Sequence, residues 1–423
     1  MVNGQASKSA LRRKLWRDMR HNAMQFVAIV LLCALGTWVY SGLDGTWRMI
    51  DLSAETYFEQ ANLADYWVNV QSATRADVEN VKNISGVQTV QSRFSAEFDT
   101  PDLGEDVSLM VHAYDGAPQV NLPMLRAGDP LSPDDKRGLL LDERFAAAHG
   151  LAAGDSITLQ LNKVDYTFTV RGLILSPEQV VTAKDVMPEP ERYGYAVLNL
   201  SALAGMPVNE LVVKLQSGAD TGAALAAIQS RLPAALVLTQ QTHPSTQRTR
   251  SEVTMFQNLT YVFPVLAFAV AAMIVLTTLT RMIEYQRTQI GTLKALGYGK
   301  NRIRAHYLNY AFLPSLLGAL GGLFVGRYML PDMLYRMENT HYALLEKLRP
   351  PISLSSWGMT ALMVLLSVFI CLYTYQRAAR EEAASLLRPK PPRAGSRIFL
   401  ERLTGLWRRL NFNTKMVVRG IAR

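Results

Sequence analysis

The sequence predicts an α-helical polytopic membrane protein with four spanning helices and an α+β extracytoplasmic domain inserted between the first two. Its apolar residues collect in four blocks, each long enough to cross the roughly 30 Å hydrocarbon core of a bilayer, while the rest of the chain is ordinarily polar. Its positive charge collects beside those blocks instead of spreading along the chain. These two patterns indicate a membrane protein with a sizeable water-soluble part.

The four apolar blocks give the order of the segments. We predict spans at 24–43, 259–280, 306–330 and 357–376. The first block carries no charged residue between Met24 and Leu43. A cleaved signal peptide, with Ala34-Leu35-Gly36 as its small-residue site, is the alternative. The basic leader before this block is long, so we expect an uncleaved anchor.

The basic residues predict the orientation of the chain. Segments 1–25, 281–304 and 376–423 hold 24 of the 44 lysine and arginine residues but only five of the 35 acidic residues. Short basic segments beside spans stay in the cytoplasm, so we expect a multi-pass protein of the inner or plasma membrane with both termini cytoplasmic. The cytoplasmic segments are then 1–23, 281–305 and 377–423, and the outer segments are 44–258 and 331–356. Nucleic-acid binding explains this charge less well, because the charge stays beside the spans.

The outer segment 44–258 mixes strand and helix patterns. The strand-like runs are Tyr66–Val70, Val107–Ala113, Ser156–Leu161 and Tyr166–Ile174, and the helix-like runs are Arg75–Asn83, Asp142–His149 and Thr221–Leu232. Asn162-Lys163 predicts a hairpin turn, and the stretch 139–155 predicts a strand, a helix, a glycine stop and a turn.

The two ends of this segment predict a stalk. Residues 44–61 and 247–258 are polar with a helical pattern, so we expect them to extend the first and second spans out of the membrane. Flexible linkers are the alternative. A rigid helix from membrane to domain can transmit motion in either direction.

The sequence gives no sign of catalytic chemistry. It has no HExxH, no GxSxG and no clustered cysteine and histidine set, and the Gly299-Lys300 pair lacks the other residues of a P-loop. Cys33 and Cys371 lie in apolar blocks, which predicts small apolar side chains. His112, His149 and His243 are scattered, and we interpret them as ordinary histidines. We therefore expect no catalytic residue, metal or cofactor in this chain, and any ATP would be bound by a partner subunit.

Two helical motifs point to function. The run RTQIGTLKALG follows the second span, and its apolar positions suit a short helix that docks into a partner's groove. Its candidate residues are Arg287, Gln289, Ile290, Gly291, Leu293, Lys294, Leu296 and Gly297. In the third span, Gly318, Gly322 and Gly326 form a small-residue ladder for helix packing, with a kink expected at Pro314.

The run RTQIGTLKALG resembles the signature of FtsX-like permeases, the family that includes MacB-type transporter subunits and lipoprotein-releasing permeases. In that signature, an arginine precedes a run close to E-I-G-x-L-K-A-L-G. Gln289 stands where the family usually has glutamate, which removes a charge and keeps a hydrogen-bonding side chain. The order of one span, an outer domain and three spans is also similar to the family. So are 139–155 and 166–174, which resemble its MacB-type core domain, and 376–388, which resembles its post-span tail with Ala383 where proline is common.

The resemblance implies the membrane subunit of an ABC transporter. The 287–297 run would be the coupling helix that contacts a separate cytoplasmic ATPase, with motion relayed to the outer domain (mechanotransmission) for export or extraction of lipid, lipoprotein or peptide. The expected partners are that ATPase, a second permease copy or homologous half, membrane lipids and an extracytoplasmic adaptor, with no nucleic acid. A membrane-anchored sensor with an outer ligand-binding domain is the alternative. A membrane-bound hydrolase lacks any recognisable catalytic set.

The C-terminal tail predicts a further membrane contact. A linker at 388–393 precedes an amphipathic stretch at 399–410, which we expect on the inner membrane surface. The end at 415–423 loosely echoes 14–22, the lead-in to the first span. Either the chain is the first half of a two-repeat permease or the echo is chance.

Overall fold

The computed structural model describes residues 4–182, 189–203, 205–338 and 346–379, together with residues 411 and 415. Within that part, the α-helices are α1 (Gly4–His21), α2 (Ala23–Gln60), α3 (Arg75–Lys82), α4 (Glu143–His149), α5 (Thr221–Arg231), α6 (Pro244–Tyr285), α7 (Arg287–Ala295), α8 (Lys300–Glu338) and α9 (Leu354–Ala379). The predictions for the tail at 388–393 and 399–410, and all but the first residue of the one at 415–423, lie outside the described residues.

Four helices, α2, α6, α8 and α9, are long and apolar enough to cross a membrane. Each contains one predicted span. Helices α2 and α6 continue without a break beyond their apolar parts, through residues 44–60 and 247–258, where the sequence predicts a stalk. Together with the α/β domain between α2 and α6, this confirms the predicted fold class.

The glycine ladder of α8 lies against α2. A Cβ atom on Gly318 would overlap the backbone of Val30, and one on Gly322 would overlap the backbone of Ala34. Gly326 makes the same close approach one turn further along α2. Without side chains at these positions, the two backbones approach closely enough to pack along their length.

Hydroxyl groups of α2 use this close approach. Thr37 Oγ1 donates a hydrogen bond to the carbonyl oxygen of Ala319 at 3.0 Å, and Ser41 Oγ donates one to the carbonyl oxygen of Leu323 at 3.2 Å. These bonds reach the backbone of α8 only because the glycines remove the side chains between the helices. Helices α2 and α8 therefore form a tightly joined pair.

A buried carboxylate fixes the start of α9 against α2. Asp44 accepts hydrogen bonds from Arg48 Nε at 3.1 Å and from Ser356 Oγ at 3.0 Å, and it also accepts one from Ser353. Burial of a carboxylate without such partners would be costly. This end of the helical bundle is therefore held by polar contacts between α2 and α9.

The domain between α2 and α6 is built on one mixed sheet. The strands are β1 (Tyr66–Asn69), β2 (Val87–Asp99), β3 (Ser108–Tyr114), β4 (Met124–Gly128), β5 (Gly138–Asp142), β6 (Ser156–Leu161), β7 (Val164–Leu175), β8 (Tyr193–Asn199), β9 (Glu210–Leu215) and β10 (Leu236–Thr239). The order is β10-β1-β9-β2-β3-β8-β5-β7-β4, with β6 pairing with β2 and β7. The pairs β3–β8 and β5–β7 are parallel.

Local sequence signals in this domain correspond to the observed turns. Asn162 and Lys163 both have positive φ angles, 51° and 64°, at the β6–β7 hairpin, which confirms the predicted turn. The stretch 139–155 forms β5, α4 and a stop at Gly150, whose φ is 66°, as predicted. Asp142 caps α4 by accepting a hydrogen bond from the amide of Arg144 at 3.1 Å.

The chain enters and leaves the sheet on two neighbouring strands. Helix α2 leads into β1, and β10 leads into α6, and these two strands pair antiparallel with Tyr66 opposite Thr239. The last turns of α2 belong to the domain core, where Tyr57 and Phe58 pack in one buried cluster with Trp67 and Val181. Helix and sheet therefore form a continuous apolar unit at this junction.

A pair of adjacent glycines in α8 tests the close approach of α2. Gly322→Ala places a methyl group against the backbone of Ala34, and we expect it to destabilise the protein by about 1–3 kcal/mol through overpacking. Gly321→Ala meets no atom within 4 Å, so it is the matched control and gains about 1 kcal/mol or nothing from helix propensity. The measurement is the apparent melting temperature of the full chain in detergent. Equal shifts for both variants would contradict the packing described.

Candidate coupling site and its connection to the domain

Helix α7 is held against the helical bundle by one of its faces. Ile290 and Gly291 are buried, and Leu293 is half-buried against the apolar cluster that fills the bundle at this end. Lys294 Nζ donates a hydrogen bond to the carbonyl oxygen of Ala379, at the end of α9, at 2.8 Å. These residues fix the position of α7 relative to the spans.

The C-terminus of α7 is closed by a Schellman motif. The amide of Tyr298 donates to the carbonyl oxygen of Leu293 and the amide of Gly297 to that of Lys294, both at 3.1 Å. Gly297 has a φ of 80°, which a residue with a side chain adopts only at a cost. The glycine lets the chain reverse directly into α8.

The opposite face of α7 is open to a partner. Thr288, Gln289 and Thr292 are exposed, and Leu296, just after the helix, is 62% exposed. The candidate residues therefore divide into four groups. Ile290, Gly291, Leu293 and Lys294 position the helix, Gln289 and Leu296 face outward, Arg287 is half-buried at its start, and Gly297 shapes its end.

Basic residues surround the exposed face. Lys300 and Arg304 are exposed on the first turns of α8. Partial burial, together with the charge of Lys300, lowers the pKa of Lys294. An apolar side chain framed by positive charge suits a partner groove with an acidic rim.

At the far end of α6, the α/β domain contains a buried ion network. Arg93 donates to Glu178 through both terminal nitrogens, Nη1 to Oε2 at 2.7 Å and Nη2 to Oε1 at 2.8 Å. Its Nε donates to Glu210 Oε2 at 2.6 Å. All three side chains are buried, so one guanidinium faces two carboxylates away from water.

The two carboxylates respond differently to the shared cation. Burial alone would raise the pKa of Glu178, but the charge and hydrogen bonds of Arg93 lower it to about 2. Burial raises the pKa of Glu210, because Arg93 offsets that effect only in part and Glu178 adds to it. Arg93 therefore favours the charged form of Glu178 more strongly than that of Glu210. Burial lowers the pKa of His112 to about 3 and that of His243 to about 4, so both are neutral at physiological pH.

The network reaches the roots of both stalk helices. Trp67 on β1 donates its indole N–H to Glu178, and its ring stacks on His243 with centroids 4.3 Å apart. His243 directly precedes α6. The segment that carries Glu178 also contacts α6, because the amide of Val181 donates to Ser245 Oγ at 3.1 Å.

Sequence reasoning missed this network because its members share no motif. Arg93 lies 85 residues from Glu178 and 117 from Glu210. The one sign of the network in the local sequence is Arg93, a charged residue within the partly apolar strand β2. Within the described ranges, no group of three or more histidine, cysteine or acidic residues is placed to hold a metal ion.

Two known protein families match consecutive parts of the chain. Residues 26–231 match the family described as MacB-like periplasmic core domain, and residues 261–383 match the family described as FtsX-like permease C-terminal. No curated protein matches the chain.

Two solved structures are similar to part of the chain. The periplasmic region of MacB from Actinobacillus actinomycetemcomitans is 14% identical, with a TM-score of 0.29, over 43% of this chain and 92% of that one. The extracellular domain of the noncanonic ABC-type transporter YknZ from Gram-positive bacteria is 11% identical, with a TM-score of 0.30, over 42% of this chain and 100% of that one.

Substitutions in the buried network test which of the two carboxylates contributes more to stability through its contacts with Arg93. Arg93→Met leaves both carboxylates without their cation, and we expect a loss of about 3–5 kcal/mol. Glu210→Gln should cost less than Glu178→Gln, because Arg93 makes two hydrogen bonds to Glu178 and one to Glu210. The measurement is the apparent melting temperature of the full chain in detergent.

The matched control is Arg171→Met in the same domain. Arg171 is 46% exposed and pairs with Asp135 at 2.8 Å, and such surface pairs contribute at most about 1 kcal/mol. Equal losses for Arg93→Met and Arg171→Met, or a larger loss for Glu210→Gln than for Glu178→Gln, would contradict the account of the network.

Proposed function

We propose a function from one premise: this chain belongs to the FtsX-like permease family of ABC transporters and carries a MacB-like periplasmic core domain. Such permeases are typically not catalytic themselves, and the family implies a cytoplasmic ATPase as partner. We infer that this chain couples ATP hydrolysis by that ATPase to a conformational change of its α/β domain on the other side of the membrane. The cargo class would be lipid, lipoprotein or peptide.

The observation that carries this proposal is the two-sided character of α7. One face is fixed in the helical bundle through Ile290, and the other presents Leu296 to a partner. A helix held in this way moves with the spans when its partner moves. The exposed Gln289 offers the ATPase a hydrogen bond where the family usually offers a charge.

The path from α7 to the domain is a single helix. Only Gln286 separates α7 from α6, and α6 then continues for 42 residues, which corresponds to roughly 60 Å. The N-terminus of α6, at the other end of the helix, follows His243, which stacks on Trp67. A displacement of α7 would therefore act on the buried network along this one helix, whose backbone hydrogen-bond ladder lacks a donor only where Pro264 stands.

We further propose that the exposed apolar face of α6 packs against a second permease copy or homologous half. Tyr261, Val262, Val265 and Leu266 are each more than half exposed on the apolar part of this helix. Four spanning helices are few for a complete pathway. Lipid surrounds the remaining apolar faces, and an extracytoplasmic adaptor stays a prediction from the family resemblance.

An aspartate at the exposed position of the coupling loop tests the ATPase contact. We expect Leu296→Asp to reduce the ATPase activity that co-purifies with the full chain from its own membranes by at least tenfold, because a charge replaces the apolar contact. Leu236→Asp is the matched control, since Leu236 is 65% exposed in the α/β domain. Leu293 is unsuitable for this test because it is packed against the bundle.

The co-purification test also separates the rival function. Undiminished ATPase activity with Leu296→Asp would contradict the proposed site. Co-purification of a histidine kinase without any Walker-motif protein would favour a sensor instead of a permease.

The proposed orientation predicts which residues an impermeant thiol reagent reaches. The native cysteines are buried, so single cysteines at the exposed positions Asp102 and Lys300 report on the two sides. In intact cells (with an outer membrane, if present, made permeable), we expect labelling of Asp102→Cys and none of Lys300→Cys. After disruption of the membrane, both should react. Equal labelling in sealed cells would place both segments on one side and end the proposal.

A further inference from the structure

A large cavity opens between the helical bundle and the start of the coupling helix. It has a volume of about 950 Å³ and lies between the ends of α2, α6 and α9, beside the first residue of α7. Ligand cavities in proteins are commonly of this size. Neither the catalytic partner nor the glycine packing described above uses it.

The charged lining of this cavity favours an anion. Arg281 on α6, Arg287 on α7 and Arg377 on α9 line it, opposed by a single carboxylate, Glu284. Arg281 and Arg377 form no ion pair with any other residue that the structure describes. Guanidinium groups that line one cavity from different helices suit a phosphate, which accepts several hydrogen bonds at once.

A buried acceptor in the same wall adds a second requirement. Gln25 Oε1 on α2 is buried and has no hydrogen-bond partner among the described residues. An unsatisfied buried acceptor is costly, so a ligand that donates a hydrogen bond here gains affinity. The hydroxyl group of a glycerol head group is such a donor.

The upper walls of the cavity are apolar. Leu276 on α6 and Tyr373 on α9 line it, and one turn further into the bundle Met273 and Phe369 are 62% and 64% exposed. A small hydrophilic anion would leave these surfaces uncovered. An anion that carries acyl chains would cover them.

We propose that this cavity binds the head group of an anionic phospholipid, with its phosphate between Arg281 and Arg377 and its acyl chains along α6 and α9. Basic pockets between spanning helices on the cytoplasmic side are a known mode of head-group recognition. The choice of leaflet rests on the orientation proposed above, whereas the cavity itself does not. The bound lipid would contact the start of α7 through Arg287 and so link the position of α7 to the composition of the bilayer.

Lipid retention by the purified full chain tests this proposal. Native mass spectrometry would compare phosphatidylglycerol with zwitterionic phosphatidylcholine, each added at the same concentration. We expect the wild type to retain at least fivefold more phosphatidylglycerol, and Arg281→Gln/Arg377→Gln to lose that preference. Arg12→Gln/Arg13→Gln is the matched control, because it removes two exposed arginines from α1 outside the cavity.

Three results would overturn the proposal. These are equal retention of the two lipids, an undiminished preference in the cavity variant, and an equal loss in the control variant, which would indicate unspecific surface charge. A competition arm separates lipid from free phosphate: glycerol 3-phosphate and inorganic phosphate should not displace the lipid at millimolar concentration, and displacement would assign the site to a soluble phosphate. The measurement is lipid retention and not ATPase activity, so its outcome is independent of the coupling proposal.

Discussion

The attachment of the α/β domain to the membrane depends on a single buried cation. Arg93 neutralises Glu178, Glu178 accepts the indole N–H of Trp67, and Trp67 stacks on the residue before α6. Removal of the cation would leave charge in a medium where it is poorly solvated. The same contacts that stabilise the sheet therefore hold the two stalk helices in place.

The membrane part is organised differently, because burial of apolar surface drives association only weakly between helices in lipid. Close backbone approach at the glycines of α8 and hydroxyl hydrogen bonds from Thr37 and Ser41 replace it. Asp44 adds a polar clamp at one end. The α2–α8 pair is thus tightly joined, whereas α6 and α9 leave more of their apolar surface exposed.

Periodic patterns predicted most of the architecture. Apolar length gave the four long helices, and paired turn residues gave the hairpin at Asn162 and Lys163, because these features are local in the chain. The buried network could not be predicted, since its ion pairs join residues 85 and 117 positions apart. Nor does local patterning tell which strands pair across the sheet.

The run 287–297 shows what a sequence motif does not reveal about the orientation of a helix. The apolar positions of the run 287–297 predict one face that docks into a partner. Ile290 and Leu296 are six residues apart, however, and six residues along a helix correspond to a rotation of about 240°. The structure accordingly buries Ile290 and exposes Leu296, with Leu293 between them. The composition of the motif indicated a docking helix, but only the helical phase relative to the bundle divides it into an anchoring side and a contact side.

The pairing of β1 with β10 has a consequence for the modularity of the chain. Entry to and exit from the domain lie on hydrogen-bonded neighbours, so the inserted unit begins and ends within a few ångströms of itself. Such an insertion requires only that the two host helices lie close together where it joins them, as in other nested domains whose termini are adjacent. A different domain with equally close ends could take the same place if it also replaced the contacts that Tyr57, Phe58 and His243 make with the present one.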